Sequence, residues 1–313
     1  MDVVKRPFKL PADAVWFITG CSSGIGLALA TLIATQHPSN RLVATARSPD
    51  ALKAHLPTGA NVLVLPLDVT SAESISAAVA AAISAFGRLD VLVNNAGYGL
   101  MGDTEAATDD QARKVVETDF WGTARLTVHA MRVMREENAK GDGPQGGLVM
   151  NVTSMGGFVG FPGNAYYHAA KFAVEGFTES VAKEVRPEWN IHFTIIEPGG
   201  VQTDFPTRSA VRTAVHPAYE LPDSPSRVLD KYVSTPETRQ TWALPQKIAE
   251  GMYGVASRGE SIPLRVPLGP DAWTFMKLEL ENVDKNLDEV KELSHKVGNT
   301  NQVESLEFMR KQD

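Results

Sequence analysis

Six short apolar runs, rich in Val, Ile and Leu, punctuate the first two-thirds of this 313-residue chain at positions 15–19, 42–45, 62–65, 91–93, 148–152 and 192–196. Each is nearly continuous in apolar character, without alternation, as expected of strands buried on both faces of a sheet. The segments between them, clearest at 23–36, 71–86, 109–135 and 165–184, are Ala-rich with helical periodicity, and the connections stay short through residue 200. Strands that alternate with helices in this way build a parallel sheet with helices on both faces. The expected fold is therefore α/β: a Rossmann-type, doubly wound, parallel seven-stranded sheet of order 3-2-1-4-5-6-7, with its site beyond the strands' carboxyl ends. Residues 1–13 read as a tail, 14–269 as the single domain and 270–313 as a C-terminal helical extension.

Past Thr203 the pattern changes. Ser, Thr, Arg and five prolines crowd residues 206–236, which suits a mobile or irregular substrate flap at about 204–237. A helix near 245–257, a last strand near 262–266 and charged helical segments from Asp271 onward complete the reading. The Glu/Lys-rich stretch 279–296 reads as a solvated helix face.

Composition removes several classes of function. A single cysteine allows neither an internal disulfide nor a thiolate zinc site, which favours a reducing compartment. The net charge of −7 lacks the basic face that a nucleic acid or an anionic membrane would require. No run approaches a membrane span and the first residues hold no signal-peptide core, so a cytoplasmic location is expected. Seven histidines are scattered without an HExxH pair, and no metal is expected.

The first strand runs into Thr19-Gly20-Cys21-Ser22-Ser23-Gly24-Ile25-Gly26 and then an apolar helix. Glycines there let the chain turn tightly, bring backbone N–H groups against a pyrophosphate and allow helix to pack on strand, while the helix N-terminus favours an anion. A dinucleotide is the natural ligand of Gly20, Ser22, Ser23, Gly24, Ile25 and Gly26. Dinucleotide folds often place an acid at the end of the second strand for the ribose 2′-hydroxyl. This chain has Arg47 there, and a guanidinium fork suits a 2′-phosphate, so NADP(H) is favoured over NAD(H).

Tyr167 and Lys171 stand four apart in a helical segment and share a face. A phenol is a poor acid at neutral pH, but a neighbouring ammonium stabilises the phenolate, so Lys171 is expected to lower the Tyr167 pKa. Ser154 follows the fifth strand, where its hydroxyl can hydrogen-bond a substrate oxygen as charge develops. His168 points about 100° away from Tyr167 on the helix and reads as structural.

Together these motifs resemble the classical short-chain dehydrogenase/reductase family, and NADP-dependent ketoreductases and hydroxysteroid dehydrogenases within it. The matching pieces are the TGxxxGxG turn, Asp68-Val69, Asn94-Asn95-Ala96-Gly97, Ser154, Tyr167, Lys171, Pro198-Gly199 and Thr203. The resemblance implies that Asp68 and Val69 contact adenine and that Asn95, Ala96 and Gly97 line the cofactor cleft. It places Pro198, Gly199, Val201 and Thr203 at the nicotinamide end, with Tyr167 and Lys171 also touching the cofactor. It further implies a carbonyl or alcohol substrate of bulky apolar character, and assembly as a homodimer or homotetramer. One position departs from the family: Asp119 stands where an asparagine is usual, and its backbone carbonyl would serve the same proton relay toward Lys171. Two other functions remain open: an NADP(H)-binding sensor or scaffold without turnover, and a nicotinamide-assisted epimerase or dehydratase.

Overall fold

Strand β1 (Val15–Ile18) is wholly buried and divides its side chains between the two faces of the sheet. Val15 and Phe17 point into one core, Trp16 and Ile18 into the other, as the two-residue period of a strand dictates. The computed structural model describes residues 6–141, 143–298 and 301–306. Around β1 lie β2 (Arg41–Ala46), β3 (Val62–Pro66), β4 (Val91–Asn94), β5 (Gly147–Val152), β6 (Ile191–Pro198) and β7 (Arg265–Leu268). All pairings in this sheet are parallel and its order is β3-β2-β1-β4-β5-β6-β7, as expected.

Helices α1 (Gly24–Gln36) and α2 (Pro49–Lys53) lie on one face. The other face is covered by α3 (Ala72–Phe86), α5 (Thr123–Glu136) and α6 (Ala165–Glu184), while α4 (Asp109–Val116) packs on α6, its Val115 buried with Leu100 and Tyr167. Leu29 and Ile33 of α1 join Trp16, Leu42 and Leu148 in the first core; Ile75, Leu126 and Val181 join Phe17, Val43 and Phe193 in the second. Because β1 pairs with β2 on one side and β4 on the other, the chain reverses its winding direction there, and a crevice opens beyond the carboxyl ends of β1 and β4.

Two expectations are corrected and one is refined. The helix read at 109–135 is helical throughout, but a π turn at Glu117–Gly122 lies between α4 and α5. The Thr123 hydroxyl donates to the Asp119 carbonyl at 2.9 Å, satisfying a backbone group that the widened turn frees. The last strand begins at Arg265, later than residue 262, because Pro263 has no N–H for a ladder; its carbonyl instead accepts from the Thr194 hydroxyl.

The flap is not irregular. It holds a π turn (Phe205–Ser209), helices α7 (Pro225–Ser234) and α8 (Pro236–Arg239), and a two-residue parallel ribbon joining Leu100–Met101 to Val211–Arg212. Buried Asp103 latches it by accepting from the Ser226 hydroxyl (2.6 Å), Arg227 (3.0 Å) and the His216 amide (3.0 Å). Helix α9 (Pro245–Ser257) then packs on α1, and α10 (Pro270–Lys296) leaves the body of the fold.

Candidate active site

The turn after β1 is shaped by what a side chain would strike. Gly20 has φ 68°, and a Cβ there would lie 2.9 Å from the Ala96 Cα; at Gly26 it would lie 2.5 Å from both Asn95 Nδ2 and the Gly20 carbonyl. Asn95 holds the turn in this shape, donating from Nδ2 to the carbonyls of Thr19 (2.9 Å) and Gly20 (3.2 Å). The Thr19 hydroxyl accepts in return from the amides of Asn95 and Ala96, both at 2.9 Å. So Asn95 and Ala96 weld β4 to the β1 turn.

Helix α1 starts beside this weld with no side-chain cap and no acid in its first turn, while Ser22 and Ser23 are exposed. Uncapped N–H groups at a helix N-terminus are a ready anion site, so these residues fit a dinucleotide's pyrophosphate. Thr203 closes the far side: a Cβ on Gly24 would come 3.3 Å from its methyl carbon. Cys21 is buried behind the turn, its thiol directed at the Ile18 carbonyl, and burial pushes its pKa up to about 12, which makes it inert.

Arg47 is exposed just past the end of β2, and among the described residues it makes no ion pair. Asp68 uses its own carboxylate locally, accepting from the Thr70 amide (2.9 Å) and hydroxyl (2.7 Å), which holds its pKa below the usual range. Buried Val69 packs on Gly122 of the π turn. At the end of β6, Pro198 leads into Gly199, whose amide donates to the Leu268 carbonyl at 3.1 Å, and Val201 is buried. Asp271 closes on both Gly199 and Gly200 and accepts from the Gly200 amide at 2.7 Å, a support absent from the sequence reading.

Ser154, Tyr167, Lys171 and Asp119 converge deeper in the crevice. The Ser154 oxygen accepts from the Gly156 amide at 3.1 Å, which leaves its proton to donate. His168 Nδ1–H donates to the Gly156 carbonyl at 2.7 Å, fixing that loop as a structural histidine would. Lys171 is buried; its Nζ donates to the Val152 carbonyl (3.3 Å) and lies 3.2 Å from Asp119 Oδ2, off the line of a good hydrogen bond. Asp119 Oδ1 accepts from the Tyr98 amide at 3.0 Å. The carboxylate also rests on Gly97, where a Cβ would lie 2.9 Å from Oδ2. This explains why glycine stands there.

Asp119 therefore engages Tyr98 and Lys171 through its side chain, while its carbonyl accepts from the Thr123 hydroxyl. Burial raises its pKa against the pull of Lys171, while for Lys171 burial is the largest influence and lowers the pKa, but Asp119, Tyr167 and Glu175 together shift it upward. Tyr167 departs from expectation. Burial drives its pKa up, Lys171 pulls it down, Asp119 pushes it up again, and the net shift is upward. The ammonium's field is shared with a carboxylate, and the phenol lies under Phe205, whose ring centre is 5.7 Å away.

One turn along α6 from Lys171, Glu175 belongs to a second acidic centre that sequence reasoning missed. Glu197, immediately before Pro198, is fully buried, and neither of its oxygens has a hydrogen-bond partner. Arg265 Nε lies 4.0 Å from it and donates to Glu175 at 3.2 Å; its Nη2 donates to Glu179 at 2.7 Å. Glu175 also accepts from the Thr153 hydroxyl at 2.8 Å, next to Ser154. A glutamate at the end of an otherwise apolar strand was the available signal. Among the described residues there is no cluster fit to hold a metal and no helix long and apolar enough to cross a membrane.

A doubly wound sheet with an anion cradle at its winding reversal, and a Ser/Tyr/Lys group beside it, defines a class of dinucleotide-binding oxidoreductases. Residues 14–212 match the family model described as short chain dehydrogenase. The oxidoreductase calM of Penicillium decumbens is 45% identical over 292 residues, covering 92% of this chain and 94% of its own. Retinol dehydrogenase 8 of Bos taurus is 36% identical over 261 residues, 79% of each chain. The crystal structure of a short-chain dehydrogenase from Streptomyces avermitilis superposes with a TM-score of 0.79 at 32% identity, covering 92% of this chain and all of that one. The chain belongs to the short-chain dehydrogenase family: it is an oxidoreductase whose fold binds a nicotinamide cofactor.

Proposed function

We propose that the protein is an NADP(H)-dependent reductase of a ketone or aldehyde on a bulky apolar substrate, able to run in reverse as an alcohol dehydrogenase. The observation that supports it most is the convergence of Ser154, Tyr167 and Lys171 beside the glycine turn. Residues 14–269 form the catalytic domain in this reading, with 270–313 as an extension that reaches the site through Asp271, which holds the Gly200 amide.

Bound in the crevice, the nicotinamide cofactor supplies hydride to the carbonyl carbon or removes it from the alcohol. The chain manages the proton. Tyr167 protonates the developing alkoxide from its hydroxyl, and burial keeps that hydroxyl in its acid form until it is needed. Ser154 donates to the same oxygen, its acceptor side already occupied by Gly156. Lys171, held as an ammonium by Asp119, stabilises the phenolate left behind.

Tyr167→Phe is expected to lose about 10²–10⁴-fold in turnover with cofactor binding intact. Unchanged cellular function in that variant would favour the sensor reading, and turnover without net cofactor oxidation would favour an epimerase or dehydratase. Cofactor choice rests on Arg47. Its replacement by Leu is expected to weaken NADPH binding about 10–100-fold, the loss of one charge-assisted contact, with NADH little changed; equal loss for both would end the NADP assignment.

A further inference from the structure

Helix α10 packs against the fold only through its first two turns, where Ala272 and Met276 are buried; from Lys277 to Lys296 nearly every residue is exposed. That free portion extends roughly 30 Å at 1.5 Å per residue. It is not a polar helix. Leu280, Val283, Leu287, Val290, Ser294 and Val297 follow a 3-4 spacing along one face, and Leu287 is 62% exposed. An apolar seam at this spacing is the pattern of a two-helix coiled coil and has no partner among the described residues.

We propose that this seam pairs with the same helix of a second copy, antiparallel, about a two-fold axis near residues 288–289. Flanking charge selects that arrangement. Parallel pairing sets Glu279 beside the partner's Asp284, two like charges. Antiparallel pairing shifted by one heptad toward the N-terminus sets Lys277 beside the partner's Lys291 and Asp284 beside its own counterpart. The alignment about residues 288–289 instead sets Asp284 against the partner's Lys291, and by symmetry does so twice.

It also stacks Leu287 on the partner's Val290 and Leu280 on the partner's Val297, so the exposed length is covered. Val283 meets the partner's Ser294, and by symmetry the reverse, two layers in which the small serine makes the weakest contact of the seam. The two globular bodies then lie at opposite ends of the pair. A lipid surface is a poorer fit, because between Lys277 and Lys296 six acids outnumber four lysines, whereas interfacial helices carry a basic polar face.

Light scattering after size exclusion of the full-length protein tests the pairing. Leu287→Asp is expected to halve the mass of the assembly without changing specific activity, since the seam lies outside the active site. Asp284→Lys is expected to weaken association about ten-fold at low salt, and Asp284→Lys with Lys291→Asp to restore it, because charge reversal on both sides regenerates the two pairs. Equal mass for the natural protein and Leu287→Asp overturns the proposal. So does a double variant as weak as the single one, a result that leaves activity, and hence the proposed reaction, untouched.

Discussion

Two buried acidic centres meet α6, the helix that carries Tyr167 and Lys171, one at Lys171 and the other a turn further on at Glu175, and they solve burial differently. Asp119 is neutralised by one ammonium within 3.2 Å and by a backbone amide, so both charges of the pair are held close to the reacting groups. At the other centre Arg265 must serve Glu175, Glu179 and Glu197 at once, and Glu197 is left without a hydrogen bond. Burial and the nearby Glu175 push the Glu197 pKa up to about 8. The first centre balances its charge by pairing. The second balances it by keeping a proton. A buried pair seldom adds net stability, yet loss of one partner is costly, so the two arrangements respond differently to substitution and to pH.

The largest effect is expected at Asp119. Asp119→Leu strands the Lys171 ammonium in the protein interior and should cost about 3–5 kcal/mol of stability together with most activity, read by denaturant unfolding and turnover. Asp119→Asn removes the charge but keeps the polar shape. Because Asp119 pushes the Tyr167 pKa upward, the Asn variant should retain activity and begin oxidising alcohol at lower pH than the natural protein. A natural protein that is silent beside an active Asn variant would show that the carboxylate blocks catalysis. An unmoved pH profile would show that Asp119 and Tyr167 are not coupled.

Arg265→Met should follow, costing about 3 kcal/mol near neutral pH, since Glu175 and Glu179 lose their shared counter-charge. The cost should grow toward alkaline pH. A cost that stays flat across pH would mean that the carboxylates do not depend on this guanidinium.

The cradle was legible in sequence because it is local: eight consecutive residues, three of them glycines, fix both the backbone path and the uncapped start of α1. Tyr167 and Lys171 were legible for a related reason, being one helical turn apart. The missed features are those built by distant segments meeting in space. Asp271 supports Gly199 and Gly200 from beyond the last strand, and Glu175, Glu197 and Arg265 come from three separate elements. The π turn had no visible signature, because the same side chains suit an α-helix; only the inward pull of Asp119 on Lys171 and Tyr98 distinguishes it. The upward shift of Tyr167 was hidden as well, since spacing reports the neighbouring lysine but not the depth at which both are buried.

The smallest effect, and the one that most sharpens the contrast, is expected from Glu197→Gln. An acid whose folded-state pKa lies above its ordinary value holds its proton more tightly in the native protein. The stability it contributes is complete below about pH 4.5 and is lost progressively as pH rises toward 8. Glutamine keeps the size and the uncharged state but cannot ionise. The melting temperatures of variant and natural protein should therefore agree near pH 5 to within about 2 °C, and separate increasingly in favour of the variant up to pH 9. Glu179 supplies the opposite sign from the exposed end of the same cluster. Its pKa is lowered to about 2 by Lys183 and Arg265, so its contribution is present above about pH 4.5 and fades as pH falls toward 2. A variant whose advantage is greatest in acid would mean that Glu197 is ionised in the native protein, and that Arg265 neutralises it much as Lys171 neutralises Asp119.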